Sequence, residues 1–514
     1  MTMGFRSRAV GRRSLLRWAT VAAGSAVLMP ILQACQQPAP TPQVVVKEVP
    51  VEKIVTKEVP VEKIVTKEVS VEKVVTKEVT VQVTATPLSR AAIKGNLQII
   101  QQRGFNPLQT TFIHNLLLKT SADRNWPLDK SYVEGFTAGT NIYEKLQAQV
   151  AAGDSPDVFI GNEDTFRFWD LKLVQPVDDI VNWAESQFGK APFLQRLNNH
   201  IEGKWYAVPT WNATGGYWAL KSWYQGTGFD LSVRHTYDEW REIALKISDP
   251  AKKRWGWGNT VNRSGDGNTN VMSVIYTAGG RVATEDNKVA FNSPETIAGY
   301  EWLKDTYTNP KWANMLPPGV NSWTDPTNNE NYLAGILGFS SNGGTMVATA
   351  SAQKPDIYKD TVLVPHPSGS VGKKQTLQVA GPYTFHNHLF AQGKNPDAGR
   401  EMLQMLLSKE NQQAILENSP ALAMPGYEKF GWDLPVIKNV PNGIMEISRS
   451  ELFDEKRFFR FHPQKTDKLW VRATSSENIE TDVMAEVMKG TPIATAVANG
   501  HKRMEAVLEK FKGR

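Results

Sequence analysis

Asp157-Val158-Phe159-Ile160-Gly161 is a short apolar run with Pro156 before it and a glycine at its end, the pattern of a buried strand. Just upstream, Asn141 to Ala152 places Ile142, Leu146, Gln149 and Val150 on one helical face, and Gly153 supplies a stop. Further upstream, Leu97-Gln98-Ile99-Ile100 alternates weakly and precedes Gly104, which reads as a first strand ending in a loop. Strand, helix and strand in this order predict parallel α/β structure.

Downstream, the helix starts are marked by capping chemistry. Thr236-Tyr237-Asp238-Glu239 is a capping box ahead of Trp240, Ile243, Ala244 and Ile247. Ser293-Pro294-Glu295 and Asn395-Pro396-Asp397 put proline at the favoured first helical position. Ser408 and Thr491-Pro492 are expected to cap two more helices. The Asn-rich stretches Asn262 to Asn270 and Asn321 to Asn331 read as loops that carry binding groups.

The N-terminus has the make-up of an export segment. Residues 1–34 carry Arg6, Arg8, Arg12, Arg13 and Arg17 and no acid, with a broken apolar stretch from Trp18 to Leu32. This is the build of a secretory signal, too short and too interrupted for a spanning helix. Gly11-Arg12-Arg13-Ser14-Leu15-Leu16-Arg17 resembles a twin-arginine export signal. Leu32-Gln33-Ala34-Cys35 resembles a lipoprotein cleavage site, and Cys35 is the single cysteine of the 514 residues. Its thiol is the expected point of lipid attachment, which ties the chain to the outer face of the cell membrane.

Residues 44–83 then repeat every ten, from Val51-Glu52-Lys53-Ile54-Val55-Thr56-Lys57-Glu58-Val59-Pro60 through two close variants. Seven Lys balance seven Glu there, so net charge does not stiffen the segment. No turn signal folds one unit onto the next, Pro50 and Pro60 oppose sheet pairing, and the apolar spacing is not that of a coiled coil. An extended linker over 36–92 is expected, after the signal at 1–35.

Charge and size narrow the possible functions. The net charge of +6 drops to about +1 without the arginine-rich leader, which removes the main support for nucleic-acid binding. The remaining chain, 93–514, is large for one core and suggests two lobes held by packing, since no cysteine staples them. All but one of the 16 tryptophans come after Cys35. Most should be core; a few in a cleft would suit sugar rings, which stack their C–H faces on indole.

Four stretches in order carry a resemblance. They are Ala151 to Phe159 with Leu173-Val174-Gln175-Pro176-Val177-Asp178-Asp179 after it; Glu202-Gly203-Lys204-Trp205-Tyr206-Ala207-Val208-Pro209; Lys288 to Glu295; and Gly381-Pro382-Tyr383 with Leu407-Ser408-Lys409-Glu410-Asn411-Gln412. Together they resemble the extracellular solute-binding proteins of family 1, the maltose-binding-protein-like sugar-binding group that serves ABC importers. The resemblance implies a two-lobed α/β fold with a hinge, of the periplasmic-binding-protein type. It implies lobe 1 at about 93–209 and 380–425, and lobe 2 at about 213–377 and 428–514. Crossings are expected near Val208 to Asn212 and near Gln378 to Gly381. The partners it implies are a sugar or oligosaccharide, the ABC permease subunits and the membrane. A monomer with no cofactor is expected.

The same resemblance points to residues. The loop after the Asp157–Ile160 strand supplies a carboxylate to sugar hydroxyls in the family. Here that loop is Gly161-Asn162-Glu163-Asp164, and Asp164 matches the position; Asp164 also suits a helix N-cap. Asn162 lies in the same loop. Trp211, just past the first crossing, is either a stacking platform or hinge packing. Arg103 is placed to fork onto hydroxyls or a ligand acid, or to form a surface ion pair. Asn342-Gly343 occupies a ligand-side loop, and Trp323, Tyr383 and Trp470 are candidate stacking rings.

The mature sequence holds no nucleophile elbow, zinc-protease pair or phosphate loop. His386-Asn387-His388 sets two imidazoles on one strand face, half a metal site without further ligands. The rival to a binding protein is a lipid-anchored carbohydrate-active enzyme, because paired carboxylates need not be adjacent in sequence; a tethered adhesive protein is a third reading.

Overall fold

The computed structural model describes residues 92–104, 107–134, 142–284, 286–369, 381–453 and 469–512. The chain divides into two units, 1–85 and 86–514, and every described residue lies in the second. The export signal, Cys35 and the repeat linker fall outside the described residues. No described helix is long and apolar enough to cross a membrane.

The first sheet is opened by β1 (Leu97–Arg103), then helix α1 (Pro107–Arg124), β2 (Leu128–Glu134), helix α2 (Ile142–Ala151) and β3 (Val158–Gly161). β1 pairs in parallel with β2 on one side and β3 on the other. The parallel α/β expectation therefore holds. α2 buries Ile142 and Leu146, and Gly153 ends that segment with φ at +77°, a conformation natural only to glycine. α1 and β2 gave no sequence signal. β2 is an edge strand of mixed polarity, and the buried face of α1 includes Gln109, Thr120 and Ser121 beside Ile113 and Leu117.

A short helix α3 (Thr165–Asp170) precedes the two central strands of the molecule, β4 (Val208–Ala213) and β5 (Gly215–Leu220). Each belongs to a different sheet. Helices α4 (Tyr237–Ile247), α5 (Gly265–Thr277) and α6 (Pro294–Thr308) lead to β6 (Phe339–Gly343), and β7 (Thr361–Val364) comes next. The chain then returns to the first sheet as β8 (Tyr383–Leu389) and β9 (Ala423–Pro425). The six-stranded sheet has the order β9-β4-β8-β3-β1-β2, and the three-stranded sheet the order β6-β5-β7. β8 runs antiparallel to both β3 and β4, and β5 is antiparallel to both its neighbours. The six-stranded sheet is thus mixed, with β2, β1 and β3 as its parallel part, and the three-stranded sheet is wholly antiparallel.

The fold is α/β and two-lobed, one lobe built on each sheet. The chain passes from one sheet to the other at Thr214, two residues later than the sequence placed the crossing. Of the second expected crossing, residues 370–380 lie outside the described residues, and β8 begins two residues past Gly381. After β9 the chain returns: Asn442 donates to the carbonyls of Lys359 and Thr361, and α7 (Ile479–Met488) packs against α5 and α6.

The capping signals are confirmed where they are local. Thr236 and Glu239 form a complete capping box, Ser293 accepts from Thr296 N–H, and Ser408 accepts from Asn411 N–H. Thr491 does not cap: the last helix, Ile493–Lys510, starts after Pro492 with no side-chain cap. Asn395 does not cap either. Its amide instead accepts from Lys94 N–H and donates to Asn96 O and to Asp157. Asp157, 1% exposed, also accepts from the backbone N–H of Gln98 and Asn395. One buried carboxylate thereby clamps β1, β3 and the start of helix Pro396–Leu406 with charge-assisted bonds. Most tryptophans are core, as expected. In lobe 2, Trp240 stacks on Phe339 at 4.1 Å between ring centroids, with Trp257 beside them.

Candidate functional site

Register fixes which strand ends face the crossing. Ala213 of β4 is opposite Tyr383 of β8, and Gly161 of β3 is opposite His386. The carboxyl ends of β1, β3 and β4 therefore share one edge with the start of β8. In lobe 2, Gly215 of β5 is opposite Gly343 of β6. Open α/β sheets bind ligands beyond the carboxyl ends of their strands, and junctions between lobes make natural clefts.

Thr214 links the two edges. Its N–H donates to Leu422 O at 2.9 Å and its hydroxyl to Ala421 O at 2.8 Å, both in lobe 1. Its carbonyl accepts from Gly344 N–H at 2.6 Å, in lobe 2. Tyr383 lies across the same junction. A Cβ at Gly215 or at Gly343 would come within 2.8 or 2.7 Å of its ring, so both positions must stay bare for the ring to lie there. The structure thus brings together Asn342, Gly343 and Tyr383 from the sequence candidates. Asn342 is 7% exposed; its Oδ1 accepts from Gly343 N–H, while its Nδ2 has no partner among the described residues.

On the lobe 1 edge, the loop 161–164 is held by side chains the sequence did not single out. Gln102 Oε1 accepts from Asn162 N–H, and Gln102 Nε2 donates to Glu163 Oε1 at 2.7 Å. Tyr143 hydroxyl donates to Glu163 Oε2 at 2.7 Å and accepts from Asp164 N–H. Burial pushes the Glu163 carboxyl above the usual carboxylate range, and the nearby Asp164 charge adds to the shift. Asp164 itself is the N-cap of α3, accepting from Phe166 N–H at 3.0 Å. Asn162 is exposed. The carboxylates of this loop are thus two rather than one. The missed signal was Gln102 at the end of β1, a polar side chain one register away from the named Arg103.

The imidazoles of β8 complete this support. His386 Nε2 meets Glu163 O at 2.9 Å, so it is the ring's donor there. His388 Nε2 meets the Thr165 hydroxyl, which gives its own proton to Asn199 Oδ1. Burial pushes His386 down to about 4 and His388 well below its ordinary value. Both rings are neutral wedges behind the loop. No group of three metal-ligating side chains occurs among the described residues.

The remaining candidates are placed differently. Trp211 is 6% exposed and stacks on Phe385 at 3.7 Å between centroids, 10° apart. One of its faces is therefore covered by a neighbouring ring of the same lobe 1 sheet. Arg103 is exposed and lies over the Tyr132 ring at 4.4 Å, with the Lys130 ammonium 3.4 Å from the same ring. Trp323 and Trp470 are 7% and 2% exposed. The Trp470 N–H donates to Asn287 Oδ1, so these indoles offer little open face for stacking.

The Asn-rich stretches are not loops. Ser264 caps α5 through Gly267 N–H, and helix Asp325–Leu333 opens behind Thr324 with Pro326 in its first turn. Capping converts each polar run into a helix start. Asp325 accepts from the N–H groups of Gly265 and Asp266, and Asn328 donates to Asp266 and to Ser341 O. Burial, then the charge of Asp325, pushes the Asp266 carboxyl well up. This places acids and amides beside the end of β6, on the lobe 2 side.

Known proteins share this architecture. The chain belongs to the family of bacterial extracellular solute-binding proteins, whose family model matches residues 132–413. Among solved structures, maltose-bound T. maritima MalE3 superposes with a TM-score of 0.66 at 17% identity, covering 80% of this chain and 99% of that one. A solute-binding protein of Thermotoga lettingae bound with alpha-D-tagatose gives 0.63 at 17%, covering 81% and 100%. One from Agrobacterium radiobacter K84 in complex with ribitol gives 0.64 at 14%, covering 81% and 99%. These likenesses establish the fold. No curated protein matches the chain in sequence.

Proposed function

We propose that the protein captures a sugar or oligosaccharide between its lobes, closes over it, and delivers it unchanged to the permease of an ABC importer. Lipid on Cys35 and the repeat linker hold it on the outer face of the membrane. The observation that carries this reading is the junction at Thr214. There the strand ends of two lobes meet at a crossing residue beside Gly343 and Tyr383, with acids and amides on the loops at the neighbouring strand ends. Carboxylates and amides accept and donate to hydroxyls, while aromatic faces take sugar C–H surfaces. The solved structures of like fold that bind maltose, tagatose and ribitol support the polyol chemistry.

A thermal-shift screen of the full chain against neutral mono- and oligosaccharides tests it, since a ligand of the folded state raises apparent stability. A subset of sugars is expected to raise the melting temperature and to be recovered intact. Asp164→Asn separates the two roles of that residue, because asparagine caps a helix as well as aspartate does. The expected outcome is an unchanged melting temperature with affinity lowered about tenfold, the scale of a lost charged hydrogen bond. Unchanged affinity removes Asp164 from the site, and sugar turnover replaces the transport reading with an enzymatic one. Cys35→Ser is expected to shift the exported chain from the membrane to the soluble fraction; retention in the membrane refutes the lipid anchor.

A further inference from the structure

Behind the Trp211–Phe385 stack, lobe 1 encloses a pocket of about 40 Å³ between the six-stranded sheet and α1. That is room for a few waters or one compact substituent, and too little for a sugar ring. Gly104, Gly161 and Trp211 lie on its lining, which sets its mouth at the strand ends where the candidate site lies. Ile113, Ile160 and the two stacked rings make most of its wall apolar.

Two amides break that apolar wall. Gln101 is 2% exposed and Gln109 6% exposed. Gln101 Nε2 donates to Thr110 O at 2.9 Å, which fixes that amide's orientation. Among the described residues its Oε1 remains an acceptor without a partner, and Gln109 Nε2 a donor without one. A buried donor and acceptor left without protein partners favour a guest that supplies both complements. A secondary amide does so: its N–H meets Gln101 Oε1 and its C=O meets Gln109 Nε2. The methyl of an acetyl group then packs against the isoleucines and the stacked rings. A bare hydroxyl is smaller and leaves the apolar wall uncovered.

We infer that this pocket receives the acetamido group of an N-acetylated sugar, so that the solute is an N-acetylhexosamine or an oligosaccharide containing one. The inference rests on the carbohydrate reading above and narrows it. Calorimetric titration of the full chain compares N-acetylglucosamine, N-acetylgalactosamine, N-acetylmannosamine and diacetylchitobiose with their unacetylated parents. At least one acetylated sugar is expected to bind about tenfold or more tightly than its parent, the discrimination expected of a site whose buried polar groups are left unpaired by the wrong ligand. Gln109→Leu on α1 is expected to abolish that preference. Gln101→Leu is a second variant, with its circular dichroism checked because it removes the bond to Thr110. Equal or tighter binding of the parents overturns the inference, as does a preference that survives in Gln109→Leu. Binding only of other neutral sugars overturns it while leaving the carbohydrate reading intact; binding of no carbohydrate ends both.

Discussion

Gly215→Ala is expected to destabilise the protein by about 2–3 kcal/mol, far more than a surface glycine replacement, because the added carbon has nowhere to go. A Cβ at Gly215 would lie 2.4 Å from the Gly381 carbonyl oxygen and 2.8 Å from the Tyr383 ring. Gly215 starts β5 directly after the crossing residue, and Gly381 lies two residues before β8. The substitution therefore pushes the start of β5 away from the segment that leads into β8, and a backbone carbonyl cannot rotate out of the way as a side chain can. Gly228 is the matched control. It has φ at +79° and open space around it, so alanine there meets only backbone strain of about 1 kcal/mol. Paired melting curves check the difference. Equal losses in the two variants contradict the close-packed junction.

Glu480→Gln is expected to stabilise the protein above neutral pH and to do nothing in acid. Glu480, on α7, is fully buried. Its Oε1 accepts from the Tyr276 hydroxyl at 3.0 Å, while its Oε2 has no partner among the described residues. Burial pushes the carboxyl up to about 7. The folded state then holds a proton that the unfolded chain has released, so stability falls as pH rises from about 4.5 to about 7. Above that window the loss is on the order of 3 kcal/mol. Glutamine keeps an acceptor for Tyr276 and carries no charge. Melting temperatures of wild type and variant at pH 4.5 and pH 8 should coincide at the lower pH and diverge at the higher one. Parallel pH profiles would show that Glu480 is not the group responsible. The buried His386 acts in the opposite sense: with its imidazole pushed down to about 4, its contribution to stability falls as pH drops from about 6.5 toward 4.

What the sequence made legible is what short-range energetics decides. The Thr236 capping box, the Ser293 and Ser408 caps and the Gly153 stop each satisfy backbone groups within a few residues, so their patterns can be read locally. The 158–161 strand and its neighbours gave the parallel core. Asn395 shows where this fails. It sits before a proline like a cap, yet its bonds go to Asp157 and to Lys94, 238 and 301 residues away. No local pattern encodes such partners. The Asn-rich runs failed for another reason: asparagine composition signals a loop, but Ser264 and Thr324 turned each run into a helix start.

The candidate site divides the same way. Asn342 and Gly343 were named from the family resemblance as a ligand-side loop and Tyr383 from its place beside the second crossing, and the fold sets the three at one junction. Glu163, Gln102 and Tyr143 were missed, since their network joins β1, α2 and the loop after β3 across 20 to 61 residues. Trp323 and Trp470 were named as candidate stacking rings in place of the aromatic that the family's ligand-side loop carries, and their burial, 7% and 2% exposed, is a property of the whole fold.

Two lobes that close over a small molecule and release it unchanged must alternate between a wider and a narrower shape. Small-angle scattering of the full chain, with and without a saturating sugar from the thermal-shift screen, measures this directly. Hinge closure predicts a smaller radius of gyration in the sugar-bound state, restored when the sugar is dialysed away. A radius of gyration that stays the same while calorimetry shows the site filled would contradict it.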